Sequence, residues 1–143
     1  MATPGSSPRP LAPRVDSQNA GTAPQRKRVL VVDDHRDAAR ILALLIESLG
    51  HEVRTANEGI EALEVLRRFQ PEVIFLDIGL PQTDGYEVAR RMRATPEGKT
   101  AKLVALTGWG HTQARERSRE AGFDTHLVKP AAAKDLRALL AAG

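Results

Sequence analysis

Short apolar runs alternate along the chain with longer stretches in which apolar residues recur every three or four positions. Residues 29–32 are β-branched apart from Leu30 and carry no polar position, as a strand buried on both faces would. Ala38, Ile41, Leu42, Leu45 and Leu49 then fall at helical spacing, with Arg36, Arg40 and Glu47 placed to face water, and Gly50 ends the helix. A short strand follows over 52–55, and Asn57 is expected to cap a second helix with Ile60, Leu63 and Leu66 inward. Pro71 closes the connection to a third strand at 73–76. Pro81 breaks the next loop, and Asp84 caps a third helix carrying Val88 and Met92.

A turn at Thr95, Pro96, Glu97 and Gly98 leads to a fourth strand at 103–106. The fourth helix, about 112–121, has a thin apolar stripe of Ala114 and Ala121 with Ser118 between them, and is expected to be the least firmly packed. Gly122 ends it. A fifth strand at 125–128 and a last helix with Leu136, Leu139 and Leu140 inward complete five β-α units. This alternation predicts an α/β fold: a doubly wound, five-stranded parallel sheet with right-handed crossovers and its crevice at the carboxyl ends of the strands.

Residues 1–26 break the pattern. They are rich in Pro, Ser, Gly, Ala and Thr, show neither apolar period, and are expected to be a disordered tail ahead of one domain at 27–143. Charge is distributed the same way. Five of the 21 basic groups but one of the 18 acidic groups lie in residues 1–28, which leaves 16 against 17 in the remainder. The folded part is therefore nearly neutral, and the basic tail reads as a solvated linker, with no direct nucleic-acid binding expected. No window approaches a membrane span, and no apolar stretch follows the basic residues of the N-terminus, so neither membrane insertion nor secretion is expected. The absence of cysteine removes disulfide and thiolate chemistry and makes a cytoplasmic location the expectation.

The candidate chemistry lies where the apolar runs stop. The first ends on Asp33 and Asp34, the third on Asp77, the fourth on Thr107, and the fifth on Lys129 followed by Pro130. If the strands are parallel, these ends share one edge of one sheet. Three carboxylates there repel one another unless a cation holds them together, and hard oxygen donors suit Mg²⁺, with Mn²⁺ also possible. Asp77 can act as a nucleophile toward phosphorus, Lys129 can neutralise the incoming charge, and Thr107 can donate a hydroxyl to a phosphoryl oxygen. Each residue alone has an ordinary reading, Asp33 as a helix cap included; their arrival from four strands gives the signal its weight. Gly108, Trp109 and Gly110 begin like a dinucleotide fingerprint, but Gln113 stands at the third glycine position. His35, His51 and His111 lie apart, without metal-ligand spacing, and read as surface histidines, His35 close to the site.

The run VVDD, the segment LDIGLPQTDGYEVARRMR, the strand LVALTG and the pair KP together resemble the receiver domain of two-component response regulators and hybrid sensor kinases. The resemblance covers the chain from about Arg28 onward. It implies the flavodoxin-like strand order 2-1-3-4-5 and phosphorylation of Asp77 by a phosphohistidine of a histidine kinase or phosphotransfer protein. It implies Mg²⁺ held directly by Asp34 and Asp77, through water by Asp33, and by the backbone carbonyl of Gly79. Lys129 would pair with the phosphoryl group, and the Lys129–Pro130 bond is expected to be cis.

In this family the matching Thr, here Thr107, moves inward on phosphorylation together with an aromatic residue of the fifth strand. That second position is His126 here, a smaller and titratable ring. Gly79 and Trp109 stand at the two positions that tune phosphoryl lifetime; Gly79 offers no side chain to position water, and Trp109 could shield the site, so self-dephosphorylation is expected to be slow. The face of the fourth helix and fifth strand is the expected partner surface. The chain is read as a phosphoacceptor switch, not a turnover enzyme, either freestanding or as the receiver of a hybrid kinase; since it stops after the fifth helix, its output is expected to pass through a partner. Two alternatives stay open at this level: a metal-dependent phosphohydrolase with Asp77 as nucleophile, and a receiver-like binding module that is never phosphorylated.

Overall fold

The computed structural model describes residues 26–78, 84–108 and 119–141. The tail up to residue 25, Gly79, Pro81, Trp109, His111 and most of the predicted fourth helix lie outside the described residues. In chain order the elements are β1 (Arg28–Val32), α1 (Arg36–Ser48), β2 (Glu52–Ala56), α2 (Gly59–Phe69), β3 (Val73–Asp77), α3 (Gly85–Arg93), β4 (Lys102–Thr107), β5 (Thr125–Val128) and a C-terminal helix (Ala133–Ala141). Residues 119–121 are helical and stop at Gly122, whose φ of 107° lies in the region that disfavours a side chain. All strand pairs are parallel, in the order β2-β1-β3-β4-β5, as expected of a flavodoxin-like doubly wound sheet.

The period of two in a strand sends alternate residues to opposite faces, and with both faces covered the interiors of β1, β3 and β4 are apolar, with polar residues only at their ends. Leu30, Val32, Ile74, Leu76, Leu103 and Ala105 face one layer, where they meet Ala62 and Leu66 of α2 and Val88, Ala89 and Met92 of α3. Val29, Val31, Val73, Phe75, Val104 and Leu106 face the other, against Ala39 and Ile46 of α1 and Leu136 and Leu140 of the C-terminal helix. Burying the Val, Leu, Ile, Phe and Met side chains among these contributes about 1.5–3 kcal/mol each. The central strands are thereby held rigid, and whatever stands at their ends is precisely positioned.

In two helices one large residue is turned out of the predicted inner face, while Leu42, Leu45, Leu49, Leu63 and Leu66 pack on the core as expected. Ile41 is 67% exposed and Ile60 68%, although both were expected to point inward. Small residues take their places: Ala39 and Ala43 with Ile46 in α1, and Gly59 and Ala62 with Leu66 in α2. Small side chains let a helix approach the sheet closely, so the closest stripe is not the stripe of largest apolar residues. Asn57 does not cap α2 either. Glu58 occupies that position, without a side-chain cap, while the Asn57 N–H donates to Glu61 Oε1 at 2.7 Å and its side-chain amide is used elsewhere. Asp84 does cap α3, accepting from the Tyr86 N–H at 3.0 Å. His51 is buried, not a surface residue; its Nδ1 accepts the Lys27 N–H at 3.0 Å.

The amino ends of β4 and β5 are clasped by Arg93 at the end of α3. Its guanidinium donates to the carbonyls of Gly98, Ala101 and Gly122 and to Asp124 Oδ2, and the same Asp124 oxygen accepts the Leu103 N–H. Among the described residues no helix is long and apolar enough to cross a membrane.

Candidate functional site

β1, β3, β4 and β5 deliver their polar ends to a single place. Asp33, Asp77 and Thr107 are buried, and Asp34 is partly exposed. The backbone of Asp33 is fixed from both sides, since its N–H donates to the Ala56 carbonyl and its carbonyl accepts the Asn57 side-chain amide, each at 3.0 Å. Asn57 thus works for the site, a role the cap reading missed. Asp77 ends β3 in register with Leu106, and the Ile78 N–H continues the ladder to the Leu106 carbonyl at 3.3 Å. The Lys129 N–H donates to the Thr107 carbonyl at 2.8 Å, which ties the chain after β5 to the end of β4. The Lys129–Pro130 peptide is cis, as the resemblance implied.

Gly85 is a further residue of the site that the sequence reading left unmarked. A Cβ at this position would lie 2.5 Å from Ile78 Cα and 2.8 Å from the Asp77 carbonyl oxygen. Only glycine lets α3 begin so close to the turn that follows Asp77. The signal was available in its place directly after the capping Asp84, but Asp-Gly before a helix reads first as loop chemistry.

The side chains converge as their chain positions required. Lys129 Nζ lies 2.9 Å from Asp77 Oδ2 and 3.2 Å from Asp33 Oδ2. Burial alone would lower the Lys129 pKa, but the hydrogen bonds and charges of Asp77 and Asp33 outweigh it and hold the ammonium above its ordinary value. One ammonium faces three carboxylates, so the site keeps an excess of negative charge. Asp34 Oδ1 is buried and accepts no hydrogen bond, a costly arrangement for a carboxylate oxygen without a donor or a cation. Donor atoms of Asp33, Asp34, His35 and Asp77 all lie within 4.8 Å of one another. Such a cluster is able to bind a divalent cation.

His35 is more involved than its reading as a surface residue allowed. Its side chain is largely exposed, but Nδ1 lies 3.5 Å from Asp33 Oδ1 and 3.4 Å from Asp34 Oδ1, and its N–H donates to Asp33 Oδ1 at 3.0 Å. His126 is half-buried on β5, paired in register with Ala105. Since Ala105 and Thr107 share one face of β4, Thr107 and His126 stand on the same side of the sheet. Gly79 and Trp109 lie outside the described residues.

The sequence matches the response regulator receiver domain family over residues 29–141. It is 36% identical over 113 residues to the sensor histidine kinase RcsC of Salmonella typhi, an alignment that takes in 79% of this chain and 12% of that protein. The chain therefore spans only a small part of that relative. Its structure resembles the chemotaxis protein CheY4 of Vibrio cholerae, with a TM-score of 0.76 and 27% identity, over 81% of this chain and 97% of the other. It also resembles the receiver domain of the sensor histidine kinase PA1611 of Pseudomonas aeruginosa, at a TM-score of 0.73 and 29% identity over 81% and 95% of the two chains; that structure has a magnesium ion coordinated in the active site cleft. The acidic pocket of Asp33, Asp34, Asp77 and Lys129, at the carboxyl edge of a 2-1-3-4-5 sheet, is that of a phosphoacceptor in two-component signalling, and this chain belongs to the response regulator receiver domain family.

Proposed function

We propose that Asp77 is the phosphoacceptor, taking a phosphoryl group from the phosphohistidine of a histidine kinase or phosphotransfer protein. The observation that carries this reading is the pairing of a buried strand-end carboxylate, Asp77, with the Lys129 ammonium 2.9 Å away, beside Asp33 and Asp34. In the transfer, a carboxylate oxygen of Asp77 bonds to phosphorus as the phosphorus–nitrogen bond breaks. That bond's electron pair stays on the donor imidazole, which returns to its neutral or protonated form. The product is an acyl phosphate. A bound Mg²⁺, or Mn²⁺, would supply charge neutralisation for the phosphoryl oxygens, held by Asp34 and Asp77, by Asp33 through water and by the Gly79 carbonyl.

Lys129 exchanges its bond to Asp77 for one to the new phosphoryl group, and the Thr107 hydroxyl donates to another of its oxygens. Because the Lys129 N–H is bonded to the Thr107 carbonyl, both groups respond together. The inward shift of Thr107 passes to His126 on the same face, and from there to a downstream protein partner. The described part of that surface holds a cavity of about 330 Å³ lined by Arg119, Phe123, Asp124, Thr125 and His126. This reading places the transfer in the cytoplasm. Self-dephosphorylation is slow on this reading because Gly79 offers no side chain to aim a water, with Trp109 as the second residue expected to lengthen the phosphoryl lifetime; a lifetime of seconds, unchanged in Trp109→Ala, would refute that point.

The deciding experiment incubates the chain with candidate kinases and labelled ATP, comparing wild type with Asp77→Asn. One label per chain, absent in the variant, is expected. Label surviving the substitution would remove Asp77 from this role, and multiple turnovers of acetyl phosphate would point to a hydrolase instead.

A further inference from the structure

We propose that His35 is a nitrogen donor to the divalent cation of this site and biases it away from Mg²⁺ toward ions that accept imidazole, such as Mn²⁺. The inference rests on the metal-dependent reading above and extends it to the choice of ion. Three observations carry it. The imidazole Nδ1 is aimed at two carboxylates at once, 3.5 Å from Asp33 Oδ1 and 3.4 Å from Asp34 Oδ1. Asp34 Oδ1 is buried with no hydrogen-bond partner. Asp77 completes a group whose donor atoms lie within 4.8 Å of one another.

The spacing suits coordination. Neighbouring donors on an octahedral ion with bonds of about 2.1 Å are about 3.0 Å apart. The separations from Nδ1 to the two oxygens exceed that by a few tenths of an ångström, which small χ rotations of an exposed ring can close. The ring is anchored at its base, since the His35 N–H donates to Asp33 Oδ1 at 3.0 Å. His35 also precedes α1 without a side-chain cap bond, so its imidazole has no capping duty to leave. Mg²⁺ prefers oxygen and retains water, whereas first-row transition ions accept imidazole, the later ones most readily; Mn²⁺ is the member of that series closest to Mg²⁺ in its oxygen ligands, and it is visible to EPR. A single nitrogen added to a carboxylate set therefore improves Mn²⁺ binding and leaves Mg²⁺ nearly unaffected.

The test uses the full 143-residue chain, titrated separately with MgCl₂ and MnCl₂ by calorimetry at neutral pH, with pulsed EPR on the Mn²⁺ form. His35→Ala, on an exposed side chain, and Asp34→Asn are the two variants. In wild type a coupling to a directly bound imidazole nitrogen is expected. In His35→Ala that coupling disappears, Mn²⁺ affinity falls about tenfold, as loss of one ligand or its support commonly costs, and Mg²⁺ affinity stays within about twofold. Absent nitrogen coupling with unchanged Mn²⁺ affinity in His35→Ala would overturn the role of His35, while abolition of binding in Asp34→Asn would leave the metal site itself standing. Tighter Mn²⁺ binding in His35→Ala would also overturn the proposal, by showing the ring to act as a competing cation. Failure of wild type to bind either ion would overturn both readings.

Discussion

Replacing Lys129 with Met keeps the length and apolar stem of the side chain but removes the ammonium that bridges Asp77 and Asp33 at 2.9 and 3.2 Å. Both carboxylates then lose the ammonium, Asp33 keeping the His35 N–H on Oδ1, and the Asp33 side chain is only 3% exposed. Breaking a fully buried pair costs about 3–5 kcal/mol, whereas solvent reduces exposed pairs to about 0–1 kcal/mol. The Lys129 side chain is 34% exposed, so an intermediate loss of about 1–3 kcal/mol is expected, a sizeable part of a domain stability of about 5–15 kcal/mol. Asp77→Asn in the same background removes one of the stranded charges and should recover part of the loss. The measurement is urea denaturation of wild type, both single variants and the double variant, in EDTA at neutral pH. A loss below about 0.5 kcal/mol in Lys129→Met, within the ordinary range of surface substitutions, would refute the reasoning, as would equal losses with and without Asp77→Asn. The pH dependence has a fixed sign. The folded-state pKa of Lys129 is raised above 10.5, so its contribution is fully present below that value and is lost as pH rises through the folded one. Lys129→Met should therefore lack the part of the alkaline decline that wild type shows above 10.5. A divalent cation should stabilise the variant more than wild type, because it replaces the missing positive charge and competes with no ammonium.

Gly85→Ala places a methyl group against the backbone of Asp77 and Ile78, which cannot yield without moving the Asp77 carboxylate. A loss of about 1–3 kcal/mol by overpacking and slower phosphorylation by acetyl phosphate are expected; a variant equal to wild type in both would show that α3 can withdraw freely. His51 is held below its ordinary 6.5 by burial first and the Lys27 charge second, opposed by Glu72. The unfolded chain then binds a proton near pH 6.5 that the folded chain refuses, so stability falls as pH drops through 6.5 and levels off below the folded value. His51→Gln should flatten thermal-melt midpoints across that window, and an unchanged slope would refute the account.

Why the strands were legible, while two helix positions were not, follows from what each pattern encodes; the order of the strands came from the family resemblance. β1, β3 and β4 are buried on both faces, and a continuous apolar run has no register to misjudge. A helix has one, and the reading weighted large residues: Ile41 and Ile60 were placed inward because they are bulky. Ala39, Ala43 and Ala62 won those positions because close approach of helix to sheet gains contacts along the whole helix, more than one isoleucine supplies. Gly50 and Gly122, by contrast, were read correctly as helix ends; both have positive φ, a backbone demand that a single residue type announces.

The site divides along the same line. Asp33, Asp34, Asp77, Thr107 and Lys129 could be found because their chemistry resides in residue type and strand-end position, two properties the sequence states directly. Asn57, Gly85 and His35 act through direction and distance. Asn57 reaches the Asp33 carbonyl across 24 residues of chain, Gly85 matters for the side chain it lacks, and His35 matters only because its ring turns back over the carboxylates. Thr107 and His126 likewise belong to one face only through the Ala105–His126 register. The charged groups of this edge thus stand on residues the chain declares, whereas the proposed adjustments, in choice of ion and in the passage from Thr107 toward a partner, depend on neighbours that only the packed sheet brings together. Of the first group, substitutions of Asp77 should abolish phosphorylation outright. Those in the second should leave a working acceptor with altered ion preference, rate or output.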